Sequence, residues 1–265
     1  MKKSKTFRRV KSVLWKIVGV LAVLGIWQGA IEIFHIKKYV LPSPLLVFKS
    51  LFDPAMAAKN NWWINIGTTA SEILLSFLVT LVAGVLLALL IAWSKPLNKL
   101  IMPVIVLLNS IPKIALAPLF LLWFGYGLKT NIFVAVLVAF FPVVINTVTG
   151  LIEIDDNLLD LVGYLGATKA QIFAKIRIPN ALPHLFAGIK TSATMCVTGS
   201  IVGEFIASKS GLGRLLRSAQ ANIDMATMFA CLLLLAASCV SMVLGAVLAV
   251  FSTDLKRTFA CSSVS

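Results

Sequence analysis

Histidine, cysteine and acidic residues are scarce in this chain, and each scarcity removes a class of function. Of the 265 residues only His35 and His184 are histidines, and neither has a His, Cys or carboxylate neighbour at ligand spacing, so no metal centre is written into the sequence. No Ser, His and Asp set suggests a hydrolase, and no GxxxxGK[ST] stretch is present to cradle nucleotide phosphates. The four cysteines, Cys196, Cys231, Cys239 and Cys261, form no CxxC pair and read as structural thiols in or near apolar segments. Charge is thin at 13%, with 10 acidic against 24 basic residues. The net charge of +14 does not imply nucleic acid, because the basic residues flank apolar runs and are not gathered on a polar domain.

What fills the space is apolar. Hydrophobic residues make up 59% of the chain and the mean hydropathy is +0.97, which implies an integral membrane protein. Crossing a hydrocarbon core takes about 20 apolar residues as helix. Six runs qualify, near 15–34, 66–92, 101–124, 131–149, 188–206 and 228–251. They are interrupted by Gly and Pro and do not alternate with period two, so the expected fold is all-α, with about six transmembrane helices, and not a barrel. The expected layout is a basic tail over 1–14, a membrane domain over 15–251 and a second tail over 252–265. The basic start followed by an apolar run resembles a leader, but the run is too long and "GIWQGA" is a poor cleavage context, so the first helix is read as uncleaved.

With an even span count both ends share a side. Placing them in the cytoplasm puts fifteen Lys and Arg inside against eight outside, in the sense of the positive-inside rule. The third run carries Pro103, Pro112 and Pro118 and should break near 109–113; broken helices at membrane depth sit against protein or a watery cavity. Asn109, Ser110 and Lys113 flank that break, either lining a polar path or hydrogen-bonding between helices. Glu204 follows Gly199 and Gly203, a GxxxG pair able to bring helices close. An intramembrane carboxyl there either lines or gates a path or is a boundary group that hydrogen-bonds the next loop. The "GYG" at 125–127 raises the alternative of an ion channel, but Trp123 and Phe124 precede it where a potassium filter needs Thr-Val, and a turn ending the third span explains it better.

The stretch 158–179, "LLDLVGYLGATKAQIFAKIRIP", is organised differently. Leu158, Leu161, Val162 and Leu165 form one apolar stripe of a short helix, with Asp160 and Gly163 on its other face. Gly166 is suited to end that helix in a left-handed conformation. Thr168 and Gln171 make a capping box for a second helix carrying Ile172, Phe173 and Ile176, which Ile178 and Pro179 are expected to stop. The pattern fits either a docking element or a surface helix pair packed on its own membrane helices.

The spacing of Gly166, Ile176 and Pro179, followed by "ALPHLFAGIK", resembles the EAA signature of ABC importer permeases. "YVLPSPLLVF", "PKIALAPLFLLWFGYG" and "GEFIASKSGLGRLL" extend the resemblance along most of the chain and point to the nitrate, sulfonate and taurine branch. Where the signature has Glu-Ala-Ala, this chain has Asp160, Leu161 and Val162, and Glu72 stands where relatives of the branch often carry a basic residue. The resemblance implies a type I importer permease: a non-catalytic, multi-pass subunit of the bacterial inner membrane, as a homodimer, served by two ATP-binding subunits and by a periplasmic or extracellular binding protein. It needs no cofactor of its own, the ATP and Mg being used by the partner. Asp160, Leu161, Gly166, Ala167, Thr168, Ile176 and Pro179 would couple to the ATPase, while Asn109, Ser110, Pro112 and Glu204 would line or gate the pathway. The substrate would be a small anion or organic solute such as nitrate, a sulfonate, taurine or a pyrimidine precursor.

Overall fold

Helices account for nearly all of the backbone, as lipid demands of a chain that must satisfy its own N–H and C=O groups. The structure is a computed structural model. It describes the backbone of residues 2–262 and the side chains of Trp15, Val18, Gly19 and residues 21–245. The side chains of both expected tails, and Cys261 with them, lie outside the described residues. In chain order the elements are α1 (Lys2–Ile33), α2 (Pro44–Phe52), α3 (Pro54–Asn60), α4 (Trp62–Trp93), α5 (Lys95–Ser110), a 3-10 turn (Lys113–Leu116), α6 (Ala117–Phe124), α7 (Leu128–Ile152), α8 (Asp156–Tyr164), α9 (Lys169–Ile172), a π-turn (Phe173–Arg177), α10 (Ile178–Ala207), α11 (Leu212–Ala221) and α12 (Met225–Ser262). Among the described residues no strand occurs.

Four helical stretches are long and apolar enough to cross a membrane: α4, α7, the stretch Lys169–Ala207 and α12 as far as Gly245. The pair α5 and α6, bent by 77°, makes a fifth if counted as one broken span. The expected span over 15–34 falls on α1, whose apolar part among the described residues is the shorter Leu21–Ile33. The break lies where Pro112 requires it. Ile111, the residue before proline, is driven to extended geometry (φ −69°, ψ 136°), which ends α5, and Pro118 in the first turn helps to start α6.

One expectation is overturned. Ile178 and Pro179 do not stop the second short helix: from Lys169 the chain stays helical to Ala207, so α9, the π-turn and α10 are continuous. Proline is barred from an ordinary helix interior because its ring meets the carbonyl four residues back and it has no N–H to donate. The π-turn over Phe173–Arg177 widens the ladder just before Pro179, which then occupies the first turn of α10.

The chain divides into two compact units. One comprises Met1–Trp62 and Leu215–Leu233. In it α2 and α3 begin on Ser43 and Asp53 caps, each followed by proline. The Trp62 indole donates to the Ser50 carbonyl at 3.1 Å, and the Ser50 and Thr227 hydroxyls meet at 3.1 Å. The other unit, Trp63–Arg214 and Leu234–Ser265, holds the candidate site residues. Its axis is the pair α7 and α10. A Cβ at Gly199 would lie 2.6 Å from the Ala135 Cα, and one at Gly203 would lie 2.8 Å from the Asn131 Cα, so these glycines admit the α7 backbone directly. The GxxxG pair thus does what its spacing implies.

Candidate functional site: a stapled helical hairpin and a buried carboxyl pair

The hairpin over 156–179 is built from local bonds. Asp155 caps α8 by accepting from the Asn157 N–H at 2.9 Å. At the other end Gly166 has φ 77°, and the N–H groups of Gly166 and Ala167 donate to the carbonyls of Gly163 and Val162, each at 3.0 Å. That is the bond pattern of a Schellman motif, with glycine where a left-handed residue is required. Thr168 and Gln171 then form the expected reciprocal capping box, at 2.8 and 3.3 Å. The turn over 162–171 is therefore held by bonds among its own residues.

The base of the hairpin is tied down by side chains. Asn180 donates from one amide nitrogen to the carbonyls of Gly150 (2.9 Å) and Glu153 (3.0 Å), and Arg177 donates to the Leu151 carbonyl at 3.2 Å. These are the carbonyls that the end of α7 leaves without helical donors. Ala92, Leu151 and Ala181 pack together there with Phe173, whose ring meets the Trp93 ring edge-on at 5.0 Å. The tip is different in kind. Leu161, Tyr164 and Leu165 are 56%, 91% and 77% exposed, while Asp160 and Thr168 are also exposed and Ala167, Ile176 and Pro179 are half-buried. A rigid body with a fixed base and an apolar, uncovered tip can receive a partner and pass on its movement.

Glu204 sits elsewhere in this unit. Its carboxyl accepts from the Gly213 N–H at 2.6 Å and from the Thr69 hydroxyl, which itself accepts from the Leu212 N–H at 2.8 Å. Gly211 (φ 103°) folds over it so closely that any Cβ there would run into the carboxyl group. Asn65 accepts from the Gly211 N–H at 2.8 Å, so that the N–H groups of Gly211, Leu212 and Gly213 are directed at α4 and α10. Sequence reasoning noted Glu72 without giving it a role and did not bring in Asn131. The Asn131 amide donates to Glu72 at 2.9 Å, and the Glu72 and Glu204 carboxyls come within hydrogen-bonding reach of each other. The available signal was two lone carboxyls in separate apolar runs, Glu72 near the start of its run and Glu204 near the end of its own, which antiparallel spans would bring level.

At the break, Ser110 returns its hydroxyl to the Val106 carbonyl at 3.1 Å. Lys113 donates to the Asn109 carbonyl and, at 3.0 Å, to its side-chain oxygen, with its ammonium 4.8 Å from the Phe141 ring centroid. The lysine therefore caps the carbonyl end of α5. Asn109, Ser110 and Pro112 are exposed or half-exposed and join no bond to Glu204, so the pathway candidates form two separate groups. Gly125 and Gly127 adopt φ of 72° and 132°, and the Gly127 N–H donates to the Ala207 carbonyl at 2.9 Å. The "GYG" is the turn between α6 and α7.

Residues 80–257 match the family described as the binding-protein-dependent transport system inner membrane component. The chain belongs to this family. As a permease of ABC importers it is a non-catalytic, multi-pass membrane subunit, and the all-α expectation holds with it. It is 35% identical to a probable ABC transporter permease protein of Haemophilus influenzae, over 83% of this chain and 87% of the relative. It is 31% identical to the formylaminopyrimidine transport permease protein ThiX of Halalkalibacterium halodurans, over 79% and 82% respectively. Among solved structures it resembles a chain of the MetNI methionine ABC transporter in an inward-facing conformation, with a TM-score of 0.60 and 21% identity, covering 72% of this permease and 96% of that chain.

Proposed function

We propose that this permease works as a homodimer that moves a small anion or organic solute by alternating access, driven through the 156–179 hairpin by two ATP-binding subunits. ATP and Mg are handled by those subunits, and substrate is delivered by a periplasmic or extracellular binding protein. Both termini and the hairpin face the cytoplasm, in keeping with the Lys and Arg bias. The observation that carries the reading is the hairpin's contrast between a stapled base and an uncovered apolar tip. A flexible loop would absorb the movement of a closing ATPase, whereas this body transmits it to α7 and α10. Asn109, Ser110 and Pro112 line the path at the broken span, and Glu204 gates it by holding the 208–213 loop. Nitrate, sulfonates, taurine and pyrimidine precursors are the substrates in view, the last favoured by the name of the Halalkalibacterium relative.

The test is a Leu161→Asp, Leu165→Asp double variant co-expressed with the ATPase of the same transport system. Loss of the co-purified ATPase at unchanged membrane abundance is the expected result. Wild-type recovery of the ATPase would refute coupling through the tip. The ligand carried by the partner binding protein on isolation identifies the substrate.

A further inference from the structure

Glu72 and Glu204 are 1% and 0% exposed, and Asn131 beside them is 0% exposed. Each carboxyl has one oxygen served by a donor: Glu72 Oε1 by Asn131 and Glu204 Oε2 by Gly213. The remaining oxygens, Glu72 Oε2 and Glu204 Oε1, are buried and receive none. Yet the two side chains lie within hydrogen-bonding reach of each other. Two ionised carboxylates are acceptors only and cannot make that bond. The groups acting on the pair include Asn131, Thr69, the Gly213 N–H and the two carboxyls themselves. Gly211 closes over Glu204 from the loop side. A buried, partnerless carboxylate oxygen is a rare state that calls for a missing hydrogen, water or ion. A hydrogen shared between those two oxygens removes both orphans at once.

We propose that Glu72 and Glu204 bind one proton between Glu72 Oε2 and Glu204 Oε1, so that the pair carries a single negative charge. The bound proton makes one carboxyl a donor, O–H to O⁻, the strong charge-assisted kind of bond. It joins α4 to α10 and, through Gly213 and Thr69, to the loop that follows α10. Any movement that parts α4 from α10 at this level must break the bond and leave two bare carboxyl groups in a buried site.

The chain has four glutamates, and the other two, Glu32 and Glu153, are exposed. Replacing both (Glu32→Gln, Glu153→Gln) leaves the pair as the sole glutamates without touching it. With glutamate carboxyls isotopically labelled, infrared spectra of this 265-residue permease in nanodiscs at neutral pH report the pair alone. The expected result is protonated and ionised carboxyl bands of equal weight, unchanged when sodium is replaced by potassium. Ionised bands only, protonated bands only, or a spectrum that responds to sodium would each overturn the proposal, the last by assigning the site to a metal cation.

Discussion

Gly163 and Gly166 lie three residues apart at the tip of the hairpin, and a Cβ at either would meet nothing within 4 Å. Packing is therefore equal for both, and backbone conformation alone separates them. Gly163 is inside α8, where alanine in place of glycine stabilises a helix by roughly 0.5–1 kcal/mol. Gly166 has φ 77°, where a side chain costs about 1–2 kcal/mol. The two alanine variants should thus differ by about 1.5–3 kcal/mol, a factor of roughly 10 to 150 in the equilibrium for opening the α8 end. Amide hydrogen exchange of residues 163–167 in the purified permease reads that equilibrium without any ATPase. Gly166→Ala is expected to speed exchange of the Gly166 and Ala167 amides, whose acceptors are Gly163 and Val162, while Gly163→Ala slows it. The spans should remain inserted in both variants, because neither position touches them. Equal exchange in the two variants would show that the Schellman turn does not govern the hairpin. With the ATPase added, Gly166→Val should lose stimulated hydrolysis before it loses membrane abundance.

Two further outcomes follow from the α7 and α10 pair. Asn180→Ala removes the donor of the Gly150 and Glu153 carbonyls and should lower stability by about 0.5–1.5 kcal/mol, with substrate-stimulated ATP hydrolysis falling further than permease abundance; equal falls would mean that the staple serves folding alone. Gly199→Ala places a methyl 2.6 Å from the Ala135 Cα and should cost about 1–3 kcal/mol, seen as a lower thermal midpoint in detergent, whereas a wild-type midpoint would refute close packing at that point.

The features legible in the sequence are those whose causes are neighbours in it. Gly166 and the Thr168 to Gln171 box act over three or four residues, and Pro112 acts on the residue before it, so both the turn and the break could be placed by pattern. Gly199 and Gly203 announced a close helix approach without saying to what; the answer, α7, is a tertiary fact. Pro179 misled because proline usually ends a helix, and the π-turn that accommodates it shows only in the three-dimensional ladder. The Glu72, Asn131 and Glu204 cluster was out of reach for a plainer reason: its members are 59 and 73 residues apart, and nothing in the local pattern around any one of them names the other two. Asn180 was missed likewise, since its acceptors lie 30 and 27 residues earlier.

Those same separations give the staple a place in the order of biosynthesis. The carbonyls of Gly150 and Glu153 are synthesised 30 and 27 residues before their donor Asn180, which at about 5–20 residues per second is an interval of roughly 1 to 6 s. Until Asn180 is in place those two carbonyls lack their side-chain donor. Asn180 opens the next membrane stretch, and its arrival completes the previous one. The staple therefore forms only once the start of α10 has been made, and it fixes the end of α7 and the start of α10 together.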